Sequence, residues 1–120
     1  VPYYGYDWPV QDASKPLAKT LPQNAADGYA EILSYSRMKT DTNLNAGNCH
    51  WDDVASETWC SYTDPDTRKE RQAWFEDQRS IGIKYDFAGT HDLGGVAIWT
   101  LGYDGSYPEL WAIIRQKFSG

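Results

Sequence analysis

The chain opens on "VPYYGYDW", residues 1–8, which reads as a short strand running into a Gly-containing exit, with Pro2 tolerated at the strand start. Residues 9–24 are rich in Pro, Lys, Ser and Asp and read as a loop. Over 24–38, Tyr29, Ile32, Leu33 and Ser36 recur at three- and four-residue spacing, which predicts an amphipathic helix with Gly28 as its weak point. "DTNLNAGN" has turn chemistry, and "CHWDDVASETWCSYTD" has the aromatic and Thr content of antiparallel strands. The polar turn "PDTRKERQ" then leads into "AWFED", so a meander of two or three strands is expected there. Asp77 is available as N-cap of a second helix over 77–89, with Ile81, Tyr85 and Ala88 spaced for one buried face. "THDLGG" returns the chain to an apolar run, Val96 to Leu101, that reads as a strand buried on both faces; yet it carries Trp99 and breaks at once into "GYDG". In "SYPEL", Ser106 and Glu109 stand at capping-box spacing for a last helix over 107–118 that buries Leu110, Trp111 and Ile114.

Two buried strands, each leading to a helix and separated by an insertion, have the order of two consecutive β/α units of a parallel barrel. The expected fold class is therefore α/β: a fragment of a (β/α)8 TIM barrel, its last two β/α units, carrying a small α+β insertion. Residues 1–11 and 77–120 form the partial barrel units, and 12–76 form the inserted lobe. On this reading Trp99 lies at the C-terminal end of a barrel strand and points at the mouth, where barrel enzymes hold their substrates.

Composition narrows the ligand. With 120 residues the chain is one domain at most, and its formal charge of −6 comes without any Lys/Arg cluster interleaved with aromatics. Nucleic acid and an anionic membrane surface are excluded as partners, because both would be repelled, and a neutral ligand is expected. Aromatics make up 15% of the chain, with 6 Trp and 9 Tyr against 3 Phe, a bias toward side chains that offer a flat apolar face and a polar edge. No run approaches the roughly 20 apolar residues that span a bilayer. The chain begins at Val1 in strand-like sequence without an initiator Met, so an upstream part is expected to have been removed. Cys49 and Cys60, eleven positions apart, permit a disulfide across a hairpin without requiring one. His50 and His91 have no second ligand at a recognised spacing, so they read as solvated or structural; no metal and no cofactor is expected.

Three segments carry a family resemblance. "VPYYGYDW" resembles the seventh barrel strand of glycoside hydrolase family 18, the chitinase family, and "LGGVAIWTLGYD" is similar to its eighth strand. The middle of the chain resembles the α+β insertion domain between those strands, and "WFED" with Ser80 and Lys84 resembles the segment leading into the seventh helix. The resemblance covers the whole chain in order. It implies that Trp99 is the apolar floor under an N-acetylglucosamine ring, whose C–H face packs on the indole. Tyr4 and Tyr6 would border the same cleft, with Tyr35 or Trp59 as its wall, while Trp51, Trp74 and Trp111 read as core. A polysaccharide ligand makes an extracellular or cell-surface location the expectation.

The family's general acid is the Glu that ends an Asp-x-x-Asp-x-Asp-x-Glu run on the fourth strand, and this sequence has no such run. Glu31 has Asp27 but no acidic residue at position 29, and Glu57 has Asp53 but Ala at position 55. The Tyr-Asp pair expected on the sixth strand also lies outside the chain. An aromatic floor binds sugar in ground and transition states alike, whereas only the acid lowers the barrier specifically, so the chain alone is expected to bind without hydrolysing. Asp7 and Asp104 are disfavoured as a catalytic carboxylate pair: Asp104 is expected to hold the loop or the start of the last helix, and Asp7 a neighbouring backbone. Three readings follow: a C-terminal part of a family 18 hydrolase, a stand-alone carbohydrate-binding or self-assembling module, and a structural unit with core aromatics. Two barrel strands without neighbours would leave bare edges, so a homo-oligomer or the remainder of the barrel is the expected partner.

Overall fold

A computed structural model of the chain describes residues 1–119. It is a mixed α/β fold built on a five-stranded antiparallel sheet. The strands are β1 (Tyr4–Pro9), β2 (Glu31–Ser34), β3 (Cys49–Asp52), β4 (Glu57–Thr63) and β5 (Glu70–Phe75), in the order β2-β1-β5-β4-β3. The helices are α1 (Tyr35–Thr40), α2 (Gln78–Thr90) and α3 (Glu109–Phe118). The expected meander is present as β3, β4 and β5, and Cys49 and Cys60, directly opposite in the β3–β4 register, are joined by a disulfide.

β1 lies inside the sheet, between β2 and β5. Its Gly5 is required there: a Cβ at this position would lie 2.0 Å from the Trp74 carbonyl oxygen. Just before β1, the chain pairs in parallel with the segment around Trp99. The Tyr3 N–H donates to the Trp99 carbonyl at 2.7 Å, and the Trp99 N–H donates to the Val1 carbonyl at 2.9 Å.

The core has two parts. One face of the sheet buries Leu33, Cys60, Ala73 and Phe75. Tyr3, Tyr35, Ile81, Tyr85 and Leu110 form the second part, with Val96 and Ile98 packed against it. α2 starts where its sequence predicts. The Asp77 carboxylate accepts from the Ser80 N–H at 3.0 Å, and the Ser80 hydroxyl accepts from the Asp77 N–H at 2.8 Å, a reciprocal cap. Ile81, Tyr85 and Ala88 are all buried, as their spacing requires.

Three expectations are corrected. Residues 24–38 are not a helix: 31–34 form β2, with Ile32 outward and Leu33 inward, and only α1 remains, capped by the Ser34 side chain. Gly28 sits at φ +95°, outside helical space, and pairing with β1 satisfies the backbone that a helix would otherwise satisfy. The 96–101 run is not a strand buried on both faces. It makes a single bridge, at Trp99, and alternates Val96 and Ile98 against the helical core with Ala97, Trp99 and Leu101 exposed. α3 begins at Glu109, not 107, because residues 104–107 close a turn through the Tyr107 N–H to Asp104 carbonyl bond; Pro108 takes the N-cap with no side-chain cap, so Ser106 caps nothing. Leu110 is fully buried, while Trp111 and Ile114 are half-buried.

Candidate functional site: an aromatic cleft on the sheet

Strand alternation sends Tyr4, Tyr6 and Trp8 to one face of β1 and Gly5 and Asp7 to the other. Tyr4 meets Tyr6 edge to face at 5.9 Å between ring centroids, and Tyr6 meets Trp8 at 5.3 Å. Register continues this face across the sheet. Ile32, Tyr6, Trp74, Trp59 and His50 stand opposite one another in succession on β2, β1, β5, β4 and β3.

At the β2–β1 end of this face, Tyr4, Tyr6, Ile32, Trp99 and Tyr103 enclose an open cavity of about 150 Å³. Trp99 is 70% exposed and is the largest apolar surface there. Its carbonyl and N–H are held by the 1–3 segment, and the Trp99–Thr100 peptide bond is cis. The loop behind it is fixed at three points. The Tyr103 N–H donates to the Thr100 carbonyl, the Tyr103 carbonyl accepts from the Ser36 N–H at 2.9 Å, and the buried Asp104 accepts from the Trp111 indole N–H at 2.7 Å. Tyr103 packs edge-on against Tyr4 at 6.2 Å.

Below the cleft, on the opposite side of β1, lies a charged brace. Asp7 is 5% exposed and accepts from Arg71 Nε at 2.8 Å and from the Tyr62 hydroxyl at 2.5 Å. Arg71 also donates to the carbonyls of Asp7, at 3.1 Å, and Tyr29, at 2.9 Å, so one guanidinium fastens β5 to β1 and to the lead-in of β2. Burial pushes the Asp7 carboxyl up, against the opposing hydrogen bond from Tyr62 and the charge of Arg71. Burial and the hydrogen bond to Asp7 likewise push the Tyr62 phenol well above its ordinary value.

Of the residues named from sequence, Trp99, Tyr4 and Tyr6 are brought together. Tyr35 is not part of the cleft: it is buried, its ring edge-on to Tyr107 at 6.4 Å, because it closes the helical core, and burial raises its phenol to about 12. Trp59 lies farther along the sheet, sealed between His50 at 4.6 Å and Trp74 at 5.7 Å, so its faces are covered by neighbouring rings. Trp74, expected in the core, is half-buried and lines a second cavity. Asp104 holds the start of the last helix as expected, whereas Asp7 binds side chains rather than a neighbouring backbone. His91 packs on Phe87 at the end of α2. Tyr103 and Ile32 were not legible as site residues. Tyr103 stands four positions after Trp99, in the turn that follows it, and "EILS" read with period two puts Ile32 and Leu33 on opposite faces without fixing which of them is outward.

None of the five cleft residues carries a carboxyl group. The arrangement offers an indole face, three phenols and an aliphatic side, apolar surface with polar edges.

An antiparallel sheet flanked by helices, with a solvent-open aromatic cleft at one edge, defines a mixed α/β protein. Residues 1–104 match the family model of Glycosyl hydrolases family 18, and the chain belongs to that family. It is 30% identical over 116 residues to the cortical fragment-lytic enzyme of Bacillus subtilis (strain 168), covering 97% of this chain and 24% of that enzyme. It is 27% identical to the di-N-acetylchitobiase of Rattus norvegicus, covering 98% of this chain and 36% of the relative. Among solved structures, the spore cortex-lytic enzyme SleL of Bacillus megaterium QM B1551 superposes with a TM-score of 0.71 at 29% identity, over 98% of this chain and 24% of that one. A Cycas revoluta family 18 chitinase in complex with (GlcNAc)4 matches the fold with a TM-score of 0.72 at 20% identity, over 98% of this chain and 32% of the other. The chain thus spans between about a quarter and about a third of the length of these relatives.

Proposed function

We propose that the chain forms part of an N-acetylglucosamine-type glycan cleft of a family 18 glycoside hydrolase, with Trp99 as the floor and Tyr4, Tyr6 and Tyr103 as the border. The observation that carries this reading is the Trp99 indole, 70% exposed although it interrupts an apolar run, and ringed by three phenols. Residues 1–11 and 77–120 are read as the last two β/α units of a (β/α)8 barrel, and 12–76 as the inserted lobe. The parallel hydrogen bonds between segment 1–3 and Trp99 support this division, as neighbouring barrel strands run parallel. The relatives' printed names, a chitobiase and a cortical fragment-lytic enzyme, support a glycan ligand.

With no carboxyl group in the cleft and no family acid run in the sequence, the chain by itself binds the sugar and does not cleave it. Such a ligand points to an extracellular or cell-surface setting. Calorimetric titration with N-acetylglucosamine oligomers tests the reading. Saturable binding that Trp99→Ala removes supports it; no binding at millimolar sugar overturns it, and chitin hydrolysis by this chain alone overturns the non-hydrolytic part.

A second reading, a stand-alone carbohydrate-binding or self-assembling module, is favoured by the exposure of Leu93 and Leu101 in the segment that carries Trp99. These side chains are the surface that a second copy, or the remainder of a barrel, would cover.

A further inference from the structure

A second cavity lies away from Trp99. It encloses about 320 Å³, and its walls include Trp8, Val10, Leu17, Glu57 and Trp74. The volume is at the lower end of the roughly 300–1,000 Å³ usual for small-ligand sites. The β1–β5 register sets Trp8 opposite Gln72 and Tyr6 opposite Trp74, which makes Trp8 and Trp74 diagonal neighbours on one face of the sheet. Each indole is backed by another ring: Trp74 stacks on Trp59 at 5.7 Å, and Trp8 lies 5.3 Å from Tyr6. Gln72 fixes the rim and is 1% exposed while doing so. Its amide donates to the carbonyls of Ala13, at 3.2 Å, and Lys15, and accepts from the Ala18 N–H at 3.3 Å and the Trp74 indole N–H at 3.1 Å. One side chain thus holds both the 13–18 loop and an indole of the wall.

Glu57 is the only ionisable side chain lining this cavity. It opens β4, directly after a turn in which the Asp52 carboxylate accepts from the Ala55 N–H at 2.7 Å. Glu57 is half-buried and has no ion pair among the described residues: Lys84, whose charge reaches it, is bonded to Glu76, and Asp77 adds a further negative charge. Burial pushes its carboxyl up, as expected of a charge that is desolvated without full compensation. A neutral occupant would leave that charge as it is, and an anion would be repelled by it and by the net charge of −6. A cation is attracted twice, by the carboxylate and by the indole faces. We propose that the cavity walled by Trp8, Trp74 and Glu57 binds a small organic cation of the methylated ammonium class, its N-methyl groups resting on the indoles and its charge facing Glu57. The cleft at Trp99 has no carboxyl group and offers no such pairing, so this inference goes beyond the function proposed above and does not depend on it.

Choline and its uncharged analogue, with a tert-butyl group in place of trimethylammonium, have nearly the same shape and differ by one charge. Calorimetric titration of the full chain is expected to show saturable choline binding in the millimolar range, with the uncharged analogue at least about tenfold weaker. The N-methyl proton signal of choline should move upfield on binding, because it lies over aromatic rings. Glu57→Gln is expected to weaken choline by about tenfold and to leave the analogue within about twofold. Leu17→Gly provides a variant outside the sheet: Leu17 sits at φ +55°, a conformation glycine adopts without strain, and its truncation opens one wall and should weaken both compounds. Equal affinity for the two compounds overturns the proposal, as does the absence of choline binding at about 50 mM. Choline binding that Glu57→Gln and Leu17→Gly leave unchanged, while Trp99→Ala abolishes it, would put the cation in the other cleft and overturn the proposal as well.

Discussion

Arg71 and Asp7 face each other across β5 and β1, Nε to Oδ1 at 2.8 Å, with both side chains almost wholly removed from water. The pair lies on the face of β1 opposite Tyr4, Tyr6 and Trp8 and ties β1 to β5. Burial pushes the Asp7 carboxyl up, while the Asp7 charge and hydrogen bond hold the Arg71 guanidinium above its ordinary value; buried pairs of this kind give little net stability over an apolar replacement of the same shape. Breaking one half is a different matter. Arg71→Met leaves a buried carboxylate without its counter-ion and is expected to cost about 3–5 kcal/mol in urea unfolding. Tyr62→Phe removes one hydrogen bond to the same carboxylate and is expected to cost about 1–3 kcal/mol. A loss under about 0.5 kcal/mol for Arg71→Met would mean that the brace is not formed in solution.

Trp99→Ala separates binding from stability. The indole is 70% exposed, so its truncation is expected to leave unfolding free energy within about 0.5 kcal/mol of the unmodified chain. Oligosaccharide affinity should fall by at least about tenfold in the same preparation. Equal loss of stability and binding would place the ring in a core.

The Cys49–Cys60 bridge closes a loop of 11 positions between β3 and β4. Chain-entropy arguments give about 3 kcal/mol for a loop of that length. Reduction with dithiothreitol, or Cys49→Ser with Cys60→Ser, is expected to lower the urea midpoint accordingly, and an unchanged midpoint contradicts it.

Stability should fall on the alkaline side. Burial raises the phenols of Tyr3, Tyr35, Tyr62 and Tyr85 above their ordinary value of 10, Tyr35 to about 12. Below about pH 10 both folded and unfolded chains hold these protons and nothing is lost. As pH rises beyond that, the unfolded chain ionises first, the folded chain binds more protons, and stability declines through the folded values. Absorbance titration should show these four phenols ionising only together with loss of far-UV circular dichroism. Their ionisation near pH 10 while the fold persists would contradict it.

Leu93, Trp99 and Leu101 are each more than half exposed and cluster in one segment. Self-association at micromolar concentration is the expected outcome in sedimentation velocity, weakened by Leu101→Asp. A single monomeric boundary across the concentration range would overturn it.

Where local signals agreed with the final packing, the elements were legible. α2 has its cap and its buried stripe within thirteen consecutive residues, and the β3–β4–β5 meander is bounded by turn chemistry. Trp99, Tyr4 and Tyr6 were legible through the family resemblance of the two segments that carry them, not through any local physical signal. The 24–38 segment misled because its apolar residues satisfy a helical period and a strand alternation over so short a span. Tyr35 misled because nothing local distinguishes a tyrosine that closes a core from one that lines a cleft.

By itself the sequence determined the family, the Asp77 cap of α2, the turns that bound the β3–β4–β5 meander and the cysteine pair able to meet across a hairpin, since cap, turns and hairpin pairing depend on neighbours close along the chain. Only the tertiary structure decided which face of the 29–34 segment meets β1, that Asp7 and Arg71 lock together from 64 positions apart, and that Trp8 and Trp74 share a cavity roofed by the 13–18 loop. Those outcomes turn on strand register, and register is set by the burial of a whole sheet face rather than by any local stretch of chain.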